Sequence, residues 1–191
     1  MSSTRIIIQA RLGSSRLPGK ILKKIRGQTI IEIMMNRLSF SKFYKSIIIA
    51  IPDNVKNRKL YYFLKKKKYN VQVGNEKNVL SRYYKIAKRN KIKNIIRLTS
   101  DCPLIDYKII EKLVNIFKEK KLDYISTNKN FAEGLDCEVF SFKALKKIFK
   151  KAKNKSEKEH VTLFIKNNKK LFNFSELKNN YDHSKIRFTL D

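Results

Sequence analysis

Five short apolar runs alternate along this chain with longer segments of helical period, and that alternation limits the fold more than any other feature. "RIIIQA" (5–10), "SIIIAI" (46–51), "YNVQVG" (69–74), "NIIRLT" (94–99) and "DYIST" (123–127) have strand length. The first, second and fourth are rich in isoleucine, as strands buried on both faces are. Between them "TIIEIMMNRLSF", "VKNRKLYYFLKKKK", "NVLSRYYKIAKRN" and "YKIIEKLVNIFKEKK" space apolar residues by three and four, which predicts helices. Strands alternating with helices require right-handed crossovers and a mostly parallel sheet with helices on both faces. Ligands of such sheets sit beyond the carboxyl ends of the strands, so residues 11–20 and 100–106 are the loops to read for chemistry. Beyond residue 128 the pattern loosens into "FAEGLDCEVFSF", two helices (about 142–152 and 157–168) and a final strand-like "KIRFTLD". No repeat or linker divides the chain, and the expectation is a single α/β domain over residues 1–191.

Composition matters for the partner class. The chain carries 45 Lys and Arg against 16 Asp and Glu, a formal net charge of +29, and such a balance usually points to nucleic acid or an anionic surface. Only 10 of the 45 cations are arginine. Lysine runs such as "LKKKKYN" fall on the outer faces of predicted helices, where they are solvated, and no aromatics interleave with arginine as on a stacking platform. Nucleic acid is therefore not the expected partner. The apolar runs are broken by charge or proline within a few residues and no signal-peptide pattern is present, so the expectation is a cytoplasmic protein with no membrane span. Cys102 and Cys137 suit neither a disulfide framework nor a four-ligand zinc site, and read as small apolar filler.

"GSSRLPGK" (13–20) invites comparison with a P-loop and fails it. Five residues rather than four separate Gly13 from Gly19, and Ile21 stands where the magnesium-binding hydroxyl belongs. A G-x-G-x-x-G fingerprint is also missing. What remains is a loop offering the backbone amides of Gly13, Ser14 and Ser15 and the cations Arg11, Arg16 and Lys20, a set suited to phosphate oxygens. In "RLTSDCPLID" (97–106), Asp106 precedes "YKIIEKL" as a helix N-cap. Asp101, immediately after a buried strand, is a hard oxygen ligand suited to Mg²⁺ on phosphates.

The segments "IIIQARLGSSRLPGKIL", "GNEKNVLSRYYKIAK", "IIRLTSDCPLID", "EGLDCEVFSFKAL", "SEKEHVTLFI" and "IRFTLD" together resemble the cytidylyltransferase family, which includes the CMP-sialic acid and CMP-KDO synthetases. The likeness is nearest to the branch known as spore coat polysaccharide biosynthesis protein F. It implies a Rossmann-like nucleotidyltransferase fold, and the transfer of CMP from CTP to a sugar acid of the 3-deoxy-2-keto type with release of pyrophosphate.

On that resemblance, Lys20 and Arg11 neutralise the triphosphate, with Arg16 in a lesser part, and Asp101 holds Mg²⁺. Cytosine is read around Gln9, Ala10, Arg11, Leu12 and Gly13 and by Arg82, whose alternative is a surface helix cation. Asp136 and Glu133 face the sugar, as do Glu159 and His160, while His183 reads as surface loop. The resemblance also implies a homodimer, and a second metal carboxylate at Asp191 followed by an acidic helix. No such helix follows here, so the expectation is a truncated sequence or a compromised enzyme. A further departure is Asn78, where relatives of the branch tend to carry an acid. Alternatives that stay open are a nucleotidyltransferase for a sugar 1-phosphate with another base, a basic nucleic-acid-binding domain, and an inactive nucleotide-binding relic.

Overall fold

The computed structural model describes residues 3–14 and 17–190. Its centre is β1 (Thr4–Gln9), an isoleucine triplet with successive side chains on opposite faces of the sheet. β4 (Ile48–Pro52) and β6 (Asn94–Thr99) flank it, both parallel, and β5 (Val71–Gly74) adds a parallel outer strand beside β4. Every isoleucine of these inner strands is buried, each contributing about 1.5–3 kcal/mol relative to exposure.

Alternate strand residues serve two cores. Ile6, Ile8, Ile49 and Ile96 pack with α1 (Ile30–Leu38), α2 (Arg58–Lys66) and α4 (Tyr107–Glu119). Ile7, Ile48 and Ile95 pack with α3 (Val79–Arg89) and α5 (Phe142–Lys151). This is the mostly parallel, doubly covered α/β sheet expected from the alternation. Asp106 caps α4, accepting from Lys108 N–H at 2.8 Å. Asn78 caps α3, accepting from Ser81 N–H at 2.8 Å, so this neutral residue has a local structural role.

The strand expected at 123–127 and the helix expected at about 142–152 are present as β7 (Tyr124–Thr127) and α5, but the rest of the chain beyond residue 128 departs from the sequence reading. The sheet order is β5-β4-β1-β6-β8-β7-β9, where β8 is Glu138–Ser141 and β9 is Phe174–Leu177. β8 runs antiparallel between β6 and β7, and β9 pairs parallel with β7. β8 escapes a hydrophobic-pattern reading because its first residue is a charged Glu138, whose partner lies on another strand. A small hairpin, β2 (Lys24–Ile25) with β3 (Gln28–Thr29), was also unforeseen.

The expected helix over 157–168 is two short ones, α6 (Lys155–Glu159) and α7 (Leu163–Asn167). The break falls where Thr162 turns its hydroxyl onto Glu138. Residues 185–190 of the terminal strand-like segment do not join the sheet. Its Arg187 forms one isolated parallel bridge with Glu133, because this segment bonds to the loop between β7 and β8 rather than to a strand edge.

Helices α2, α3 and α4 end alike. Lys68, Lys91 and Lys121 have φ of 59°, 51° and 48°. In each case the next amide reaches back five residues: Tyr69 to Leu64, Ile92 to Ala87, and Leu122 to Phe117. These are Schellman ends in which lysine occupies the left-handed position that glycine favours. Lys68→Gly, Lys91→Gly and Lys121→Gly are each expected to raise unfolding stability by about 1 kcal/mol in denaturant titrations, because the Cβ penalty outweighs the extra unfolded-state entropy of glycine.

Candidate active site

A cleft of about 200 Å³ opens beyond the carboxyl ends of β1 and β6, as parallel-sheet topology directs. The register sets Gln9 beside Thr99, and Ser100 N–H donates to the Gln9 carbonyl at 3.0 Å, extending the pairing past the strand ends. The basic loop then folds back on two bonds. Leu12 N–H donates to Oδ1 of the buried Asn57 at 2.9 Å, and Gly19 N–H donates to the Leu12 carbonyl at 3.0 Å. Gly19 sits at φ 67°, where a Cβ is penalised, so the return of the loop depends on glycine there. Lys20 then opens a single 3₁₀ turn, Lys20–Leu22, rather than a full helix.

Gln9, Ala10, Arg11, Gly13, Ser14 and Lys20 line the cleft from β1 and the loop. Arg82 enters from α3 and Asp101 from the end of β6, while Glu159 and His160 come from the end of α6. Four elements far apart in sequence thus bring ten of the expected residues together. Leu12 instead packs toward the hydrophobic core. Ser15, Arg16 and Asp191 lie outside the described residues.

Two of the expected residues face each other: Lys20 Nζ lies 3.7 Å from Asp101 Oδ2. The C-terminal segment is tied to both residues. Lys20 Nζ donates to the Leu190 carbonyl at 2.6 Å, and Leu190 N–H donates to the Asp101 carbonyl at 3.1 Å. Gly134, at φ 99°, makes this path possible, since a Cβ there would meet the Phe188 carbonyl carbon at 2.8 Å. Arg82 is no surface cation. It is 3% exposed, with Nη1 donating to the Asn75 carbonyl at 2.8 Å and Nε buried without a partner among the described residues.

Glu133 and Asp136 stand apart from this cleft. Glu133 is exposed and lies 3.5 Å from Arg187 Nε. Asp136 accepts from Gly134 N–H at 3.2 Å and lines a second cleft of about 210 Å³ with Thr99, Ser126, Thr127 and Lys166. Thr99 belongs to both clefts, so the two adjoin at the end of β6.

The second cleft also exposes a network that sequence reading missed. Arg97 stands opposite Glu138 across β6 and β8, with Nη1 2.7 Å from Glu138 Oε2. Tyr124 OH and Lys166 Nζ each reach Glu138 Oε1 at 2.7 Å, and Thr162 Oγ1 donates to both oxygens at 2.9 and 3.0 Å. Burial would push the Glu138 carboxyl up, yet the charges of Arg97 and Lys166 and the hydrogen bonds hold it down at about 2. The available sequence signal was an arginine inside the apolar run "NIIRLT", which demands a buried acid from elsewhere. Asn57, Glu76 and Thr99 were likewise missed, being unremarkable until the fold places them. The cysteines are the filler expected: burial pushes the Cys102 thiol up to about 12 and that of Cys137 further, which disfavours thiolate.

A family model described as cytidylyltransferase matches residues 5–189. The chain is 31% identical over 198 residues to the spore coat polysaccharide biosynthesis protein SpsF of Bacillus subtilis, covering 100% of this chain and 82% of that one. It is 35% identical over 116 residues to 3-deoxy-manno-octulosonate cytidylyltransferase of Fusobacterium nucleatum, covering 60% of this chain and 46% of the relative. A solved structure, a cytidylyltransferase from Leptospira borgpetersenii, matches with a TM-score of 0.95 at 35% identity, over 100% of this chain and 82% of its own.

Two outcomes are expected from the geometry. The Glu138 carboxyl is depressed on folding from 4.5 to about 2, so its stabilisation is complete above the unfolded value and is lost as pH falls through the folded one. Thermal melts should therefore weaken between pH 4.5 and about 2, and Glu138→Gln should flatten the dependence in that window. Gly134→Ala should displace the segment 186–190 from the cleft, read as faster hydrogen exchange at the Phe188 and Leu190 amides with exchange in β1 unchanged.

Proposed function

The chain belongs to the cytidylyltransferase family and is a nucleotidyltransferase; from that premise we propose that it transfers CMP from CTP to a hydroxyl of a 3-deoxy-2-keto sugar acid, releasing pyrophosphate, in surface polysaccharide biosynthesis. The observation that carries this reading is the meeting of two clefts at the ends of β1 and β6, one lined by phosphate-binding groups and the other by hydroxyls and a carboxylate. Nucleotidyl transfer needs an acceptor hydroxyl held in line with the α-phosphorus and neutralisation of the charge that moves onto the leaving group.

In the first cleft Arg11 and Lys20 face the triphosphate, with the Gly13 and Ser14 backbone beside it. The backbone from Gln9 to Gly13 and the Arg82 side chain read the cytosine. In the second cleft Asp136 and the hydroxyls of Thr99, Ser126 and Thr127 meet the sugar hydroxyls, and Lys166 supplies a cation for its acid group. Glu159 and His160 contact substrate from the α6 side of the first cleft, whereas Glu133 lines neither cleft and faces Arg187.

Asp101 suits Mg²⁺: its side chain is 40% exposed and offers hard carboxylate oxygens at the mouth of the cleft. The second ligand implied by the family, Asp191, lies outside the described residues, and no cluster of three His, Cys, Asp or Glu occurs among the described ones. When bound, the ion adds charge neutralisation on the phosphate oxygens. The reading includes a homodimer and a cytoplasmic location, the compartment that holds CTP; no helix among the described residues is long and apolar enough to cross a membrane.

Incubation with CTP, Mg²⁺ and a panel of 3-deoxy-2-keto sugar acids should release pyrophosphate, with ATP, GTP and UTP as poorer donors. Absence of release, together with no thermal protection by CTP–Mg²⁺, overturns the proposal. Lys20→Ala and Asp101→Ala should each reduce turnover by at least about 10²-fold with the far-UV circular dichroism unchanged. Either variant turning over at the wild-type rate overturns its assigned role.

A further inference from the structure

We infer that Gln9 is a catalytic hydrogen-bond donor in this reaction, its carboxamide locked by the Arg97–Glu138 pair so that its NH₂ group faces the reacting phosphoryl oxygen. The inference rests on the nucleotidyl transfer proposed above and names a role for one side chain within it.

The lock follows from donor chemistry. A guanidinium has five N–H donors and no acceptor, so its neighbour must turn an oxygen toward it. Arg97 Nη2 lies 3.1 Å from Gln9 Oε1 and donates to it, and the amide nitrogen is thereby turned away from Arg97. Gln9 lines the first cleft, and no group among the described residues accepts from its Nε2. Arg97 itself is held by Glu138 at 2.7 Å. Glu138 is in turn held by Tyr124, Thr162 and Lys166, so the orientation of the amide is set from the middle of the sheet.

Position supplies the role. Gln9 ends β1 beside Thr99, the residue common to both clefts, and Arg97 lines the second cleft. In the transfer the acceptor hydroxyl oxygen bonds to the α-phosphorus while the bond from that phosphorus to the bridging oxygen breaks. Pyrophosphate leaves with the electron pair and the hydroxyl proton passes to water. The α-phosphoryl group must therefore lie where the clefts join, and Gln9, which lines the first cleft beside Thr99, is the side-chain amide inferred to present its Nε2 protons there. A donor fixed in advance stabilises charge in the transition state without reorganising during the step. Arg97 and Glu138 act through Gln9 and are positioning residues.

The test compares wild type with Gln9→Met, which keeps the length and removes the donor, and with Gln9→Glu, which keeps the contact to Arg97 and presents oxygen in place of NH₂. Both should lower kcat by about 10- to 10²-fold, with KM for CTP changed by less than about threefold. A wild-type kcat, or a loss confined to KM, overturns the inference. If wild type releases no pyrophosphate, the proposed function fails, and the inference is then decided by binding. In ¹⁵N-labelled protein the Gln9 side-chain amide signals, identified by their absence in Gln9→Met, should shift with CMP and stay in place with cytidine. No shift with CMP, or an equal shift with cytidine, overturns it. Glu138→Gln should move the same signals in ligand-free protein; signals that stay in place separate the pair from Gln9 and overturn the positioning role. Should that variant not fold, Thr162→Val disturbs the same carboxylate more gently and is read in the same way.

Discussion

A single buried carboxylate organises the half of this protein that the parallel βα pattern does not. Glu138 is 5% exposed, and an unpaired charge at that depth costs several kcal/mol. It is tolerated because Arg97, Lys166, Tyr124 and Thr162 all converge on its two oxygens. Those partners come from β6, β7 and the α6–α7 region, so the carboxylate can be satisfied only when those elements are in place. The pairing also fixes register: Arg97 stands opposite Glu138, and a slip of β8 by one residue would turn Glu138 to the face away from Arg97. Thr162 bonding explains why a helix expected to be continuous breaks next to Glu159 and His160, two residues that line the first cleft.

The high positive charge of the chain has little to do with this centre. Among the described residues of the first cleft, Arg11, Lys20 and Arg82 stand with Glu76, Asp101 and Glu159, a balanced set rather than a basic funnel. Much of the excess lysine decorates helix surfaces and helix ends, including the three left-handed positions where glycine is the more usual residue. The charge that matters to the proposed chemistry is local, and its effect comes from placement at strand ends where backbone amides and side chains converge.

The C-terminal segment shows how a loop can substitute for a strand in shaping a site. Residues 186–188 pair with Glu133 through two backbone bonds, Glu133 N–H to the Ile186 carbonyl at 3.0 Å and Phe188 N–H to the Glu133 carbonyl at 2.7 Å. Gly134 lets the two segments of the chain approach closely. The segment then reaches Lys20 and Asp101 through Leu190. Glu133 therefore stands where its backbone is structural, whatever its side chain contributes to acceptor binding.

The sequence by itself determined the inner parallel sheet, the helices on its two faces and the location of the chemistry at two strand ends. Each of these follows from information carried by consecutive residues: isoleucine runs, three-and-four spacing, an N-cap at Asp106, a glycine and basic loop after β1. The family motifs lie in the same local stretches, which is why Lys20, Asp101, Arg82 and His160 could be named before their meeting in one cleft was visible. Only the tertiary structure decided that β8 inserts antiparallel, that the final segment stays out of the sheet, that Asp136 belongs to a second cleft and that Arg97 holds Gln9. These features depend on pairings between residues far apart in sequence, Arg97 with Glu138 and Gln9 at 41 and 88 positions and Phe188 with Glu133 among them. A buried arginine announces in sequence that it needs an acid, but which acid it finds, and what that pair then orients, is settled by the sheet that brings them together.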